Sequence, residues 1–208
     1  MKSWDENHVR ARISEKSARD PERQRFGAAT HRYELGPRLP EGEILAFEVT
    51  HGIRLPQAYR SFVAEVGDGP AGPFHGLMPL TTPRPEARGP RAMDGMDGMD
   101  DTDAVDAVDD TDDDQWAVDD EWEDDRLPGR LTEPFPLSGP LPGPIGASAD
   151  ALTRGTLTLA ELGCGIHHRL VLNGPRAGEV WQIDADWGGF VPVNPGFRTW
   201  YADWLEER

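Results

Sequence analysis

The residues best suited to chemistry in this sequence are one cysteine and two adjacent histidines. Cys164 lies between two glycines, and His167 and His168 follow within four residues. A nucleophilic cysteine needs a base close to it in space, and His167 is near in sequence. Side chains of neighbouring strand residues point to opposite faces, so the two histidines cannot chelate one ion together. We therefore interpret Cys164 as a packed or incidental thiol and the histidines as surface or half-buried structural residues.

Other motifs that carry chemistry are incomplete. Asp184 and Asp186 follow a strand and form either a carboxylate pair on one face or a solvated turn. The glycine-rich segment 67–77 lacks the lysine of a phosphate-binding loop. Ser138 does not stand in a G-x-S-x-G nucleophile turn, and the acidic run contains no calcium-loop pattern. The sequence thus assigns no catalytic residue, no metal site and no cofactor.

The negative charge of the chain is concentrated in one segment. The net charge is −17, and residues 94–125 contain 17 Asp and Glu with no Lys or Arg. The rest of the chain has 21 acidic and 21 basic residues. Without clustered cations, nucleic-acid binding is not expected, and a basic protein is the natural partner. Trp116 and Trp122 interrupt the acidic run, either as anchors for a partner or as groups that dock on the protein itself.

Length and composition favour one cytoplasmic domain with additional segments. The chain has 208 residues, 37% of them hydrophobic, with 23 glycines and 19 prolines. The core must therefore be concentrated in parts of the chain. The charged N-terminus does not resemble a signal peptide, and no apolar run is long enough to span a membrane. A single cysteine is consistent with a reducing compartment.

The first half of the chain reads as helical. Capping residues and apolar spacing predict a polar, exposed helix over 4–19, a short helix opened by Asp20-Pro21-Glu22, and a helix over 41–51. A fourth helix follows Pro56, with one apolar stripe. That stripe comprises Tyr59, Phe62, Val63 and Val66. The glycine-rich segment 67–77 then predicts tight turns, and 77–80 a short buried strand or its remnant.

The second half reads as strands and a closing helix. Edge strand 132–137 precedes strands at 156–162, 166–172, 180–183 and 188–191, and an amphipathic helix covers about 197–205. The fold class is α+β, with N-terminal helices packed on a mostly antiparallel twisted sheet and a closing C-terminal helix. Segments 1–93 and 122–208 form one domain, and 94–121 is predicted to be a disordered acidic insertion.

Several segments, in this order, resemble the SMI1/KNR4 (SUKH) superfamily, in particular its actinobacterial members. Residues 55–80 read LPQAYRSFVAEVGDGPAGPFHGLMPL, in which a Leu-Pro helix leads to a Gly-rich turn and an aromatic-x-Gly-Leu strand. Residues 26–56, 155–181 and 195–207 are similar to further family segments, including a Gly-Cys-Gly turn and a closing aromatic helix. The resemblance covers about two thirds of the chain and fails over 81–121.

The resemblance implies a sheet-based fold that binds other proteins and performs no catalysis. Many bacterial members look like immunity proteins encoded beside secreted toxins, so a basic toxin, such as a nuclease, is the expected partner. A regulatory scaffold without a toxin and an unrecognised enzyme are the alternatives. The exposed sheet face and the Gly-rich turn are the candidate surfaces. The candidate partner-binding residues are Gly67, Asp68, Gly69, Gly72, Phe74, His75, Trp116, Trp122, Trp181, Asp184 and Asp186.

Overall fold

The computed structural model describes residues 3–80 and 130–207, and the predicted acidic insertion 94–121 lies outside them. The described residues form six α-helices and one five-stranded sheet. The helices are α1 (Glu6–Arg19), α2 (Ala28–His31), α3 (Glu41–His51), α4 (Gln57–Glu65), α5 (Ala149–Leu152) and α6 (Phe197–Glu206). The strands are β1 (Leu141–Pro142), β2 (Thr156–Gly163), β3 (Ile166–Val171), β4 (Val180–Asp184) and β5 (Gly189–Asn194).

The sheet is antiparallel throughout, in the order β1-β5-β4-β3-β2. Strands β2 to β5 are neighbours in sequence as well as in space. They form a meander, because short connections join antiparallel strands that lie side by side. Helices from both ends of the chain cover one face. The predicted α+β class, with N-terminal helices on an antiparallel sheet and a closing C-terminal helix, is confirmed.

The core has two parts, one on each face of the sheet. On the helix-covered face, the stripe of α4 meets α6 and the apolar side chains of β2 and β3. Phe62 lies between Trp4, Phe197 and Tyr201, with ring centroids 4.5–5.3 Å apart. The opposite face carries a smaller apolar cluster, so side chains of β4 are buried on both faces of the sheet. This outer cluster comprises Phe135, Val171, Trp181, Ile183 and Phe190.

Helix α3 covers the predicted residues because its end signals are local. Gly52 adopts φ +62 and donates its backbone N–H to the carbonyls of Glu48 and Val49, which ends the helix. The Glu48 carboxylate then accepts from the backbone N–H of Leu55 at 2.9 Å and from Arg60 Nε at 3.2 Å. One buried side chain thus fixes the path from α3 into α4.

Helix α1 differs from its prediction in two respects. Asp5, rather than Ser3, is the N-cap, and its Oδ1 accepts from the His8 backbone N–H at 3.0 Å. The helix is also less exposed than its polarity indicates, because Val9 and Ile13 are buried in the core. The sparse apolar residues of α1 are enough to attach it to the helical layer.

Two other predicted elements are wrong. Asp20 does not open a helix, because its carboxylate accepts from the backbone N–H groups of Gln24 and Arg25 and from the Tyr33 hydroxyl. Residues 132–137 form no strand, since prolines 134 and 136 remove two ladder donors. Residues 77–80 are not a strand of the sheet, and they correspond to the predicted strand remnant, since the Met78 N–H donates to the Leu159 carbonyl of β2 at 2.8 Å.

We predict that Asp5→Ala lowers the free energy of unfolding by about 1 kcal/mol, the typical cost of losing an N-cap acceptor. Asp5→Ser is the matched control, because its hydroxyl can still accept from the His8 N–H. Urea denaturation of both variants measures the difference. Equal losses in the two variants would contradict the assignment of Asp5 as the cap.

Candidate functional site

One end of the sheet brings several chain reversals together. The register pairs Ile166 with Asp184, so the β2–β3 turn (163–165) lies beside the β4–β5 turn (184–189). Strand β1 pairs with the start of β5 and therefore reaches the same end. We call this region the turn end of the sheet. Surface turns held by a rigid sheet are favourable places for binding residues.

The β4–β5 turn holds a tryptophan out in solvent. Asp184 Oδ1 accepts from the backbone N–H groups of Asp186 at 3.3 Å and of Trp187 at 3.0 Å. A Cβ on Gly188 would lie 2.8 Å from Asp184 Oδ2, and Gly189 adopts φ +77. This side-chain-capped turn leaves Trp187 82% exposed. Of the two predicted acids, only Asp184 acts on the backbone through its carboxylate, and it positions a residue that the sequence did not single out.

Other apolar side chains are exposed at the same end. Six large hydrophobic residues are exposed among the described residues, and Phe26, Leu141 and Trp187 lie here. The Phe26 ring contacts the His75 ring edge-on, with centroids 4.8 Å apart. The His75 backbone N–H donates to the Glu161 carbonyl at 3.2 Å, which attaches the Gly-rich turn to β2. His75, a predicted site residue, therefore belongs to the turn end.

A cleft of about 460 Å³ opens on the helix-covered side, where the Gly-rich turn, the sheet and α6 meet. We call it the aromatic cleft. Phe74 from the Gly-rich turn and His168 from the sheet lie 4.8 Å apart between ring centroids. The cleft thus includes the predicted Gly-rich turn, but it lies on the helix-covered face of the sheet and not on the predicted exposed face. Its other aromatic walls are Phe26, Tyr33, Trp200 and Trp204.

His168 is held neutral in this cleft. Trp200 Nε1 can only donate, and it lies 2.9 Å from His168 Nδ1. The ring proton is therefore on Nε2, which lies 3.3 Å from Gln182 Oε1. Burial lowers the pKa of His168, and the Gln182 contact only partly offsets this effect. The chain Trp200–His168–Gln182 links α6 to two strands.

His31 lines the cleft as a second neutral imidazole. Its Nδ1 accepts from the Tyr33 backbone N–H at 3.0 Å, so its proton is also on Nε2. Burial, followed by the nearby positive charge of Lys16, lowers the pKa of His31 to about 4. The Asp20 carboxylate acts in the opposite direction but is the weaker influence.

The mouth of the cleft carries charge. Lys16 Nζ donates to the Glu207 carbonyl at 2.9 Å and lies 5.2 Å from the centroid of the Trp204 ring. Burial lowers the pKa of Lys16. Arg25 and Asp203 also line the opening. Aromatic walls, neutral imidazoles and a charged rim suit the cleft to a planar or apolar group with a polar end, such as a partner's side chain.

The first residues of the Gly-rich turn are buried, in contrast to their predicted role at a surface. A Cβ on Gly67 would lie 2.6 Å from the Gly36 carbonyl oxygen. Asp68 Oδ1 accepts from the Leu80 N–H at 2.7 Å. Gly69 adopts φ +61, and a Cβ on Gly72 would lie 2.9 Å from the Leu77 nitrogen. These four residues permit close backbone packing, and only Phe74 and His75 reach the candidate site.

The predicted tryptophans are not at the candidate site. Trp181 is fully buried in the outer cluster, with Phe135 and Phe190 at 4.9 and 5.6 Å between ring centroids. Trp116 and Trp122 lie outside the described residues. Partner binding through those two remains a prediction from sequence alone. Trp181 has no surface to offer a partner in this structure.

The two adjacent histidines lie on opposite faces of the sheet, as the strand pattern predicted. His168 lines the aromatic cleft, whereas His167 lines a groove on the other face. Cys164 is exposed in the β2–β3 turn with φ +54, which excludes the packed thiol and leaves the incidental one. Both histidines are buried, rather than at the surface or half-buried as predicted. Among the described residues, no group of three or more His, Cys, Asp or Glu could hold a metal ion.

Comparisons with known proteins identify no relative of this chain. Neither a protein-family model, nor a curated protein, nor a solved structure matches the chain. The resemblance to the SUKH superfamily therefore stays a prediction. In residues 3–80 and 130–207, no helix combines the length and apolar character needed to cross a membrane.

Proposed function

We propose that this protein is a non-enzymatic binding module of SUKH type that acts as an immunity protein in the cytoplasm. The observation that carries the proposal is Trp187, a large aromatic side chain 82% exposed on a turn fixed by Asp184. Tryptophan is strongly enriched among the residues that dominate protein–protein binding energy. A fixed turn lowers the entropy lost on binding.

The surroundings of Trp187 support a protein partner. Leu141 and Phe26 add exposed apolar area at the turn end, and the aromatic cleft beside His75 can receive a side chain from the same partner. Leu141 lies on edge strand β1, and Phe26 lies beside His75 at the opposite edge strand β2, so the exposed apolar groups are distributed along the turn end. Exposed apolar groups on a rigid surface are typical of sites that contact another protein.

The charge of the chain supports a basic partner. The 17 acidic residues of 94–125 produce a strongly negative local field in a protein that is otherwise balanced. Such a field accelerates association with a basic surface, and salt weakens that effect. A toxin that acts on nucleic acid needs a basic groove, so a nuclease toxin fits this charge.

We predict that Trp187→Ala weakens binding to the cognate toxin about 30-fold, corresponding to about 2 kcal/mol. The first toxin to test is the product of the neighbouring open reading frame. Co-expression with wild type should protect growth, and calorimetry should give the affinities. Val49→Ala is the matched control, because Val49 is exposed on α3 and away from the turn end. We expect it to bind like wild type.

The possible results separate the alternatives. If Trp187→Ala and Val49→Ala bind the toxin equally well, the turn end is not the interface. If the wild type binds the neighbouring product without protecting growth, the regulatory scaffold is favoured. If the wild type neither binds nor protects, the immunity proposal is wrong.

A further inference from the structure

The aromatic cleft contains a buried imidazole with one nitrogen still open to a ligand. His31 is 2% exposed and lines the cleft, and its Nδ1 accepts from the Tyr33 backbone N–H. In the part of the chain that the structure describes, no acceptor meets its Nε2–H. The side-chain nitrogens and oxygens there that are both closed to solvent and without a partner belong to Arg12 and Arg130. The Nε2–H of His31 is therefore accessible to a group that enters the cleft.

The packing around His31 fixes the position of this donor. The imidazole meets the rings of Tyr33 and Trp204 edge-on, with centroids 4.9 and 5.8 Å away. The Gly-rich turn supports the ring from its other end, since a Cβ on Gly76 would lie 2.8 Å from His31 Cβ. A donor that is already fixed loses little entropy when an acceptor binds to it.

The other polar ring atoms show what the cleft lacks. Trp200 Nε1 donates to His168 Nδ1 at 2.9 Å, and the Tyr33 hydroxyl donates to Asp20 Oδ2 at 2.8 Å. Trp204 is half-buried, and its Nε1 has no acceptor among the described residues. The open ring atoms of the described walls are thus N–H donors. A ligand that leaves them unsatisfied loses binding energy, so a suitable ligand carries an acceptor.

The charges at the rim favour an uncharged ligand. Among the described residues that line the cleft, Lys16 and Arg25 are basic, and Asp203 and Glu207 are acidic. Their formal charges cancel, so net charge attracts neither a carboxylate nor an ammonium group. A charged group would also lose its hydration on entering aromatic walls. The cleft therefore suits a neutral ring that carries an acceptor.

Tyrosine is the side chain of a protein partner that meets these requirements best. Its ring is uncharged and packs well against aromatic walls, and its phenolic oxygen can accept from the His31 Nε2–H. Phenylalanine would leave that N–H without an acceptor, and the tryptophan ring can only donate. Asparagine, glutamine and histidine bring an acceptor but much less apolar surface for the aromatic walls.

We propose that the aromatic cleft binds a tyrosine side chain of the protein partner, whose hydroxyl oxygen accepts from His31 Nε2–H. The inference rests on the proposed function for the existence of a partner, and it assigns the group that enters the cleft. Phe26 lines the cleft and is also exposed at the turn end, so the cleft opens beside the surface that carries Trp187. Tyrosine is also enriched in protein interfaces.

The first test uses the full-length chain without any partner. It is titrated with p-cresol, which is the tyrosine side chain, and with toluene, which is the phenylalanine side chain. The indole N–H signals of Trp200 and Trp204 in NMR spectra report binding in the cleft. We expect wild type to bind p-cresol about tenfold more tightly than toluene, because the hydroxyl satisfies the open donor.

His31→Asn tests the role of the donor. The asparagine oxygen can still accept from the Tyr33 N–H, but the side chain is too short to donate from the position of Nε2. We expect the preference for p-cresol to disappear. The two ligands control for the fold, because a structural disturbance weakens both of them alike. Leu45→Ala, at an exposed position of α3, is the matched control variant and should keep the preference.

Three results of these titrations would overturn the proposal. The first is that p-cresol leaves the two indole signals unchanged. The second is that wild type binds toluene as tightly as p-cresol. The third is that His31→Asn keeps the preference of wild type for p-cresol.

The second test uses the cognate toxin and separates this proposal from the proposed function. We expect His31→Asn to weaken toxin binding about tenfold, the same factor that the hydroxyl contributes to p-cresol binding. If Trp187→Ala weakens toxin binding and His31→Asn does not, the tyrosine proposal is overturned and the immunity proposal stands. If the isolated chain prefers p-cresol but no toxin binds, the immunity proposal fails and the preference of the cleft for a phenol stands.

Discussion

Replacing Trp181 by alanine is expected to lower the free energy of unfolding by about 4 kcal/mol, the middle of the range for large aromatic truncations in cores. The indole is fully buried between Phe135 and Phe190. Its Nε1 donates to Glu179 Oε2 at 2.9 Å, and the Arg176 guanidinium lies 5.5 Å from its centroid. Truncation therefore opens a cavity and removes one donor from the Glu179 carboxylate, which Arg176 still contacts. Urea denaturation monitored by circular dichroism gives the value.

Trp187→Ala is the matched control for this loss. It removes the same atoms six residues further along the chain, from a side chain that is mostly in water. We expect its stability to stay within about 0.5 kcal/mol of wild type, as for other exposed positions. We therefore expect Trp181→Ala to lower stability, whereas Trp187→Ala weakens partner binding without lowering stability. Equal destabilisation by both changes would contradict their placement.

The elements predicted correctly are those with local signals. Helix α6 follows from apolar spacing, and Phe197, Trp200, Tyr201 and Leu205 are buried as that spacing requires. Strands β2 to β4 follow from alternation and turn residues. In these segments the periodicity and the end signals agree, so tertiary contacts reinforce the local preference.

The predictions that fail concern segments whose conformation or burial depends on a contact with a residue distant in sequence. Asp20 has the form of a helix cap, but the Tyr33 hydroxyl, 2.8 Å from its carboxylate, helps to fix a loop instead. The turn character of Gly69 was evident from composition, whereas its burial depends on the pairing of Leu35 with Pro70. Neither partner can be identified from spacing along the chain. Sequence patterns indicate the backbone conformation that a residue prefers, but they do not indicate which distant segment packs over it.

The candidate site shows the same division. Asp184 and Asp186 were singled out as chemical groups, and only the turn geometry reveals that Asp184 holds the backbone that exposes Trp187. A tryptophan is usually assigned to the core by its size. The sequence feature that could have indicated the exposure of Trp187 is its position between the acids that follow the predicted strand 180–183 and the glycine pair that begins with Gly188. Exposure of one side chain depends on such turn geometry, which composition does not specify.

The two faces of the sheet have different electrostatic character. The aromatic cleft contains imidazoles kept neutral by burial, whereas the groove on the other face, between β3, β4 and α5, contains the guanidiniums of Arg130 and Arg169 as well as the imidazole of His167. Strand alternation produces this difference, because His167 and Arg169 point to one face and His168 to the other. Acidification acts on the cleft by protonating His31 and His168, which burial keeps neutral at neutral pH.

Lowering the pH from 7 to about 4.5 is expected to remove about 2 kcal/mol of the free energy of unfolding through His31. Its pKa of about 4 in the folded protein lies below the ordinary value of 6.5. The unfolded chain therefore binds more protons between these values, and stability falls as the pH drops through this range. Each unit of pKa difference corresponds to about 1.4 kcal/mol. His168, whose pKa is also lowered by burial, adds to the same trend.

His31→Gln isolates this effect, because a glutamine oxygen can still accept from the Tyr33 N–H without taking up a proton. We expect the variant to start from a lower stability at pH 7 and to lose clearly less than wild type on acidification. The quantity to compare is the slope of unfolding free energy against pH, measured by urea denaturation between pH 7 and 4.5. Carboxylates such as Asp20, whose pKa is lowered, lose their contribution only at more acidic pH. An unchanged slope in His31→Gln would show that His31 is not the buried neutral base described for the aromatic cleft.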